Sequence, residues 1–256
     1  MLFIGLVGLL AACASEPDTE ADEGATEEGD SGNSLIIAVG SDATELDPHM
    51  GTDIPSANVY HNKIFETLVI QDENMEFQPG LATEWERVDD LTWEFTLRDD
   101  VEFHDGEPFN AEAVKANLER VVDEEFASPR ADLFNMIDEI EVVDEYNIKF
   151  TTEYPFSPLL ANLAHYSGGI ISPQAIEADR SGETLLNEKP VGTGPFIFSS
   201  WEPGDEIVLE RNDDYWNEPA NVETVTFKVI PEGQTRISMI ETGNAHIAEP
   251  INTNDV

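Results

Sequence analysis

Cysteine and the basic amino acids are scarce in this chain. The single cysteine, Cys13, excludes an intramolecular disulfide. Only 12 Lys and Arg residues stand against 54 Asp and Glu residues, so the formal net charge is −42. A field of that sign repels nucleic acids and anionic lipid headgroups, and neither is expected as a partner. The hydrophobic fraction of 40% is nevertheless sufficient for a folded core.

Motifs of metal sites and of hydrolases are also missing from the sequence. The acidic residues are spread along the chain and do not have the spacing of a calcium-binding loop. Their excess is typical of a protein adapted to a salty or alkaline medium, where salt screens the self-repulsion. There is no Gly-x-Ser-x-Gly and no His-Glu-x-x-His. These absences leave little support for an enzyme, and we expect no cofactor and no metal ion.

The amino-terminal residues 1–13 resemble a lipoprotein signal peptide. Residues 2–12 form an apolar run that is too short to cross about 30 Å of hydrocarbon but has the length of a signal-peptide core. The motif Leu10-Ala11-Ala12-Cys13 resembles a bacterial lipobox, in which the cysteine is lipidated. An ordinary signal peptide with a chance cysteine is the alternative. No Lys or Arg precedes the run, so we expect the true start to lie upstream of Met1.

Residues 14–34 have the composition of a disordered tether. They are acidic, rich in Gly, Ser and Thr, and almost free of large apolar side chains. Such a segment cannot bury enough surface to offset the entropy of ordering, and its like charges extend it. A lipid anchor followed by a spacer indicates a protein outside the cytoplasmic membrane, at the cell surface or in the periplasm.

Residues 35–256 alternate predicted strands and helices, which indicates a mixed α/β body. Alternation of apolar and polar residues predicts hairpins over 84–98, 137–152 and 196–211. Apolar runs predict strands at 34–40, 170–171 and 222–230. Helical spacing predicts helices over 57–70, 111–122, 157–163 and 233–242, the first two capped by Ser56 and Asn110.

Short motifs follow one another in a fixed order along this body: LDPH at 46–49, GLA at 80–82, LRDDVEFHDG at 97–106, FNAEAV at 109–114, PVGTGPF at 190–196, RNDDYW at 211–216 and IETG at 240–243. A hairpin containing Trp85 and Trp93 belongs to the same series. Each motif is weak evidence alone, but their order and spacing together resemble the family 5 extracytoplasmic solute-binding proteins. This is the oligopeptide-, dipeptide- and nickel-binding group.

The resemblance implies a periplasmic-binding-protein-like type II fold (two-lobe, cluster C), whose lobes close on a ligand around a hinge. Family members are about twice as long, so we expect lobe I with its extra subdomain, without the second lobe. The implied function is that of a substrate-binding lipoprotein that hands peptides to the permease of an ABC importer. A nickel or metal-chelate binder and an extracytoplasmic sensor are the alternatives, although few His and Met residues lie near the cleft loops.

The resemblance also implies ligand-binding residues on three loops. In peptide-binding members, an extended segment after the Leu-Asp-Pro turn pairs its main chain with the ligand. The candidates at these loops are Thr52, Asp53, Ile54, Arg130, His165 and Tyr166. Arg130 stands where an aromatic residue is frequent, and it would suit a ligand carboxylate or would neutralise surface acids. For residues 52–54 the alternative is an ordinary exposed loop.

Two further motifs are interpreted as structural. His104-Asp105-Gly106 contains a turn signal and lacks the third ligand that a metal site would need. Gly192-Thr193-Gly194 is not followed by the Lys of a phosphate loop and indicates a tight crossing of the backbone. We expect Tyr215 and Trp216 to serve in packing.

Overall fold

The computed structural model describes residues 33–251. The strands of this part are β1 (Ser34–Val39), β2 (Val69–Gln71), β3 (Phe77–Pro79), β4 (Ala82–Arg87), β5 (Thr92–Leu97), β6 (Ile137–Asp144), β7 (Asn147–Thr152), β8 (Phe196–Glu202), β9 (Glu206–Arg211), β10 (Thr224–Val229) and β11 (Ile247–Glu249). The helices are α1 (Ile54–Tyr60), α2 (Ala111–Val122), α3 (Leu159–Leu163), α4 (Pro173–Ser181) and α5 (Gly233–Glu241). Short 3-10 turns cover Ala131–Leu133 and Tyr166–Gly168. The mixed α/β body predicted from the sequence is present.

A five-stranded sheet has the order β11-β1-β10-β9-β8. Strand β1 runs parallel to both of its neighbours, with Val39 in register with Val229 of β10 and with Glu249 of β11. The apolar sequence of β1 suits this central position, and Ile37 and Ala38 are buried. Because β1, β10 and β11 are parallel, their carboxyl ends meet at one edge of the sheet.

A four-stranded antiparallel sheet has the order β4-β5-β7-β6. On β5, Trp93, Phe95 and Leu97 are buried while Glu94 and Thr96 are exposed, as the alternating pattern predicted. The rings of Phe95 and Phe150 lie 5.1 Å apart between centroids and join β5 to β7. The three predicted hairpins are confirmed.

Helix α2 follows the sequence prediction, whereas α1 does not. The Asn110 side chain caps α2 by accepting a hydrogen bond from the Ala113 N–H at 3.0 Å. Helix α1, predicted over 57–70 with Ser56 as its cap, instead runs from Ile54 to Tyr60 and is capped by Asp53. Its first turn contains a proline, which favours an early start, and the chain turns back after Tyr60 through Asn62 at φ 53°.

The predicted strand at Ile170 and Ile171 is wrong. The Asn117 side chain accepts from the Ile171 N–H and donates to the Ile171 carbonyl, both at 2.8 Å. The Ile170 N–H donates to the Glu66 carbonyl. The Asn117 side chain at Ile171 and a single backbone contact at Ile170 thus take the place of a strand ladder at this segment.

Predictions at the two ends of the chain fall mainly outside the described residues. Cys13 and most of the predicted tether at 14–34 lie there, and Ser34 at the end of that range already belongs to β1. Within residues 33–251, none of the helices has the length and hydrophobicity needed to span a lipid bilayer.

Candidate functional site

The Leu-Asp-Pro-His turn after β1 closes on Asp47. The carbonyl of Asp47 accepts the N–H of Met50 at 3.1 Å and that of Gly51 at 2.8 Å. Its carboxylate accepts the N–H of His49 at 2.9 Å. The side chains of Asp47 and His49 are buried, so the turn is a fixed support for the exposed residue that follows, Thr52.

The main chain of Thr52 is free to pair. Its N–H and C=O make no hydrogen bond with any residue that the structure describes. The carboxylate of the neighbouring Asp53 is hydrogen-bonded within the protein. It accepts the Ser56 N–H at 2.8 Å and the Thr44 hydroxyl at 2.5 Å. Burial alone would raise the pKa of Asp53, but these hydrogen bonds outweigh it and lower that pKa. Ile54 lies in the first turn of α1, so the predicted extended segment ends at Asp53.

Arg130 lies against this loop. Its Nε donates to the Gly51 carbonyl at 2.9 Å, and its guanidinium also donates to the Tyr166 hydroxyl. The guanidinium carbon is 5.1 Å from the centre of the Tyr166 ring. Among residues 33–251, no carboxylate forms an ion pair with Arg130. The side chain therefore does not neutralise a surface acid there, and it retains unused N–H donors.

His165 and Tyr166 complete this cluster. Their ring centroids are 4.0 Å apart. The Nδ1 atom of His165 accepts the Ser167 N–H at 3.1 Å, which leaves the ring proton on Nε2. Burial, assisted by Arg130, lowers the pKa of His165. Both side chains line a polar cavity of about 300 Å³, with His61 on the same wall. The structure thus brings Arg130, His165 and Tyr166 together. Arg130 also attaches this cluster to the loop that carries the other three predicted residues, Thr52, Asp53 and Ile54.

Sequence analysis did not identify a second, apolar cavity at the carboxyl edge of the five-stranded sheet. This cavity has a volume of about 310 Å³ and is lined by the last residues of β1, β10 and β11 and by Ile54, Val59 and Phe227. Ile54, which is 61% exposed, connects the cavity to the Thr52 loop. Carboxyl ends of strands are the usual place for ligands in open α/β sheets, and this is the signal that could have located the cavity.

Tyr60 is a further residue that sequence analysis missed. Its side chain is fully buried, and its hydroxyl finds no hydrogen-bond partner among the described residues. The hydroxyl lies beneath the loop, because a β-carbon at Gly51 would come within 2.5 Å of it. Burial raises the pKa of Tyr60. Gly51 is therefore required by the close approach of Tyr60.

Glu66 joins the chain after α1 to two distant segments, one at Thr193 and one at Tyr215 and Trp216. Its buried carboxylate accepts hydrogen bonds from the Tyr215 hydroxyl at 2.6 Å, from Trp216 Nε1 at 2.8 Å and from the Thr193 hydroxyl at 2.9 Å. Burial raises the pKa of Glu66, and the three donors offset part of that effect. Tyr215 and Trp216 thus have a packing role, and the Arg98 guanidinium carbon lies 3.9 Å from the Trp216 ring centre.

The segment at 192–194 crosses the backbone at residues 63–64 as tightly as its glycines suggest. A β-carbon at Gly192 would lie 2.1 Å from the Ile64 carbonyl oxygen, and one at Gly194 would lie 2.1 Å from that of Lys63. His104 Nε2 lies 2.9 Å from the Gly194 carbonyl and so belongs to this crossing. In the part of the chain that the structure describes, no three His, Cys, Asp or Glu side chains are arranged to hold a metal ion.

Comparison with known proteins covers most of the chain. Residues 76–256 match the family described as "Bacterial extracellular solute-binding proteins, family 5 Middle". The chain is 36% identical over 218 residues to the glutathione-binding protein GsiB of Pectobacterium atrosepticum, which covers 84% of this chain and 42% of that relative.

Two solved structures resemble the described fold. One is the periplasmic binding protein DppA from Helicobacter pylori in complex with the peptide STSA, with a TM-score of 0.80 and 32% identity over 87% of this chain and 48% of that chain. The other is a nickel ABC transporter protein from Bacillus halodurans, with a TM-score of 0.74 and 33% identity over 87% of this chain and 44% of that chain. The chain therefore spans less than half the length of these proteins. The predicted fold is confirmed: the described residues are consistent with one lobe of a type II periplasmic binding protein.

Proposed function

The chain belongs to family 5 of the bacterial extracellular solute-binding proteins, and we propose that it captures peptides outside the cytoplasmic membrane and delivers them to the permease of an ABC importer. The proposal includes a lipid anchor at Cys13. The similar proteins support the class of solute: GsiB is named for glutathione, itself a small peptide, and DppA holds the peptide STSA.

The free main chain of Thr52 is the observation that carries the peptide assignment. An extended peptide can pair with one N–H and one C=O in the manner of an added strand, and such pairing is independent of ligand sequence. No group of the described protein competes for these two positions. The pairing explains how one site could accept peptides of different composition.

Two neighbouring features supply the remaining contacts of a peptide. Arg130 has no carboxylate partner among the described residues, so its remaining N–H donors suit a ligand carboxylate. The apolar cavity beside Ile54 suits an aliphatic or aromatic ligand side chain. A ligand held in this way and covered from the opposite side would shift the protein toward a closed form, because only that form contacts it from both sides.

Calorimetric titration of the full-length protein with defined peptides of two to five residues tests this proposal. We expect binding by several peptides of unrelated sequence, weakened when Arg130 is changed to Met. Arg180→Met is the matched control, because Arg180 is exposed and, among residues 33–251, its one ion pair is with Glu177 in α4 at 3.7 Å. Equal affinity in all three proteins, or no binding of any peptide, would contradict the proposal.

A nickel or metal-chelate ligand is the second candidate, because one similar structure is a nickel transporter protein. The absence of a three-residue metal-holding group within residues 33–251 weighs against it. Titration with nickel and histidine in place of peptide separates the two. A sensor role would be distinguished by its genes, since a neighbouring histidine kinase favours sensing and neighbouring permease and ATPase genes favour import.

A further inference from the structure

One buried arginine holds the turn that presents Thr52. Arg120 lies in α2 and is only 4% exposed. Its two terminal nitrogens donate to the two carboxylate oxygens of Asp47 at 3.1 and 2.6 Å, and Nη2 also reaches Asp179 of α4 at 3.1 Å. The guanidinium carbon lies 3.9 Å from the centre of the Phe126 ring. Because a buried charge is stable only when paired, Arg120 ties α2 and α4 to the turn.

His49 extends this ionic cluster. Its Nδ1 lies 2.9 Å from Arg120 Nη1, which can only donate. Nδ1 is therefore the acceptor, and the ring proton is on Nε2, 3.2 Å from the Gly169 carbonyl. Burial lowers the pKa of His49 to about 4, and the charge of Arg120 acts in the same direction. His49 is thus a neutral link between α2 and the segment around Gly169.

The cluster reaches the ligand loop through two routes. Along the first route, the Asp47 carbonyl accepts the Gly51 N–H at 2.8 Å. Along the second, the His49 carbonyl accepts the Ser128 hydroxyl at 2.5 Å, and the Ser128 oxygen accepts the Arg130 N–H at 3.0 Å. Arg130 in turn donates to the Gly51 carbonyl. The Gly51 N–H is therefore fixed by Asp47, which Arg120 contacts directly, and the Gly51 carbonyl by Arg130, which Arg120 reaches through His49 and Ser128.

We propose that Arg120 is a positioning residue for ligand binding, which fixes the main chain of Gly51 and Thr52 by holding Asp47 and His49. The inference rests on the proposed pairing of Thr52 with a peptide. Helix α2 does not need the guanidinium for its attachment, because Val114, Leu118 and Val121 already bury its apolar face. In the part of the chain that the structure describes, three polar side chains hydrogen-bond to the Arg120 guanidinium, and two of them belong to the turn. Its position thus serves the loop more than the core.

Hydrogen exchange of the unliganded full-length protein tests the positioning directly. Arg120→Lys retains the charge but cannot hold Asp47 with two parallel hydrogen bonds. We expect amide exchange in residues 47–53 to accelerate at least tenfold at His49, Met50 and Gly51, whose N–H groups donate to Asp47, with exchange in α2 unchanged. Arg98→Lys is the control: Arg98 donates from Nε to the Gly80 carbonyl at 2.9 Å and lies outside the cluster. It should leave exchange at 47–53 unchanged.

Peptide titration of the same variants measures the effect of Arg120 on the Kd for ligand. Arg120→Lys should raise the Kd at least tenfold, Arg120→Met should raise it further, and Arg98→Lys should leave it unchanged. Unchanged exchange at 47–53 in Arg120→Lys, or equal Kd values for the wild type and Arg120→Met, would overturn the inference. If the wild type binds no peptide, the proposed function fails, while the exchange data still decide whether Arg120 positions the turn.

Discussion

Arg130 donates a hydrogen bond from Nε to the carbonyl of Gly51 at 2.9 Å, although 79 positions separate the two residues in the sequence. This contact joins two loops that the sequence motifs had marked separately as ligand-binding candidates. It means that Arg130 both supports the Thr52 loop and presents unused donors beside it. Changes at Arg130 should therefore affect ligand binding more than folding.

Arg130→Met should weaken peptide binding without unfolding the protein. The variant loses hydrogen bonds to Gly51 and to Tyr166, each with a net contribution of about 1 kcal/mol. We expect the Kd to rise at least tenfold, while the free energy of unfolding falls by at most about 2 kcal/mol, about 1 kcal/mol for each of the two hydrogen bonds. Calorimetry and urea unfolding measure the two quantities, and a loss of stability with unchanged Kd would count against a role in binding.

Glu66 should tolerate an amide but not an apolar side chain. Glu66→Gln keeps an acceptor for Trp216 and Thr193, and the Tyr215 hydroxyl can reverse its role. Glu66→Leu leaves three donors without their acceptor, the buried Thr193 hydroxyl and the partly buried Tyr215 and Trp216 groups, and an unpaired buried donor costs about 1–3 kcal/mol. Urea unfolding should therefore show a much larger loss for Leu than for Gln. Similar losses in the two variants would show that the three hydrogen bonds to Glu66 contribute little.

His49 should make stability depend on pH between about 4 and 6.5. The pKa of His49 is about 4 in the folded protein and 6.5 in the unfolded chain. Between these two pH values His49 is protonated in the unfolded chain but neutral in the folded protein, which favours unfolding. Stability is fully present above pH 6.5 and falls toward pH 4, by about 3 kcal/mol at 1.36 kcal/mol for each unit. His49→Gln cannot titrate and should show a smaller decline across this window. Parallel pH profiles for the two proteins would exclude the effect.

Lipidation at Cys13 remains a prediction from the sequence. Labelled palmitate should enter the precursor in bacterial cells, and Cys13→Ser should abolish its incorporation. Incorporation of palmitate in Cys13→Ser would contradict the assignment of Cys13 as the lipidated residue.

Local signals explain why α2 and the β4–β5 hairpin could be predicted. Asn110 provides a cap directly before a run of apolar residues at helical spacing, and the cap forms as expected. On β5 the alternation of Trp93, Phe95 and Leu97 with polar residues is enough to identify a strand with one buried face. These signals lie within a few residues of the element that they specify.

Competing or distant signals explain why the cap of α1 was predicted wrongly and why the contacts of Arg120 were not predicted. Asp53 and Ser56 lie three positions apart, and both are favourable N-cap residues. Asp53 is the cap of α1 because its carboxylate accepts the Ser56 N–H. The ionic cluster could not be foreseen, because Arg120 meets Asp47 across 73 positions and Asp179 across 59. The cluster of Arg130 and Tyr166 was predicted only as neighbouring cleft loops, since their contact depends on the packed fold.

Mass spectrometry of ligands that co-purify with the full-length protein tests the central claim most directly. The protein should be isolated from cells grown in rich medium, denatured, and its small molecules analysed against the Arg130→Met and Arg180→Met variants. We predict a mixture of short peptides bound to the wild type and to Arg180→Met, and depleted in Arg130→Met. A single metal ion or a sugar in place of peptides would contradict the account.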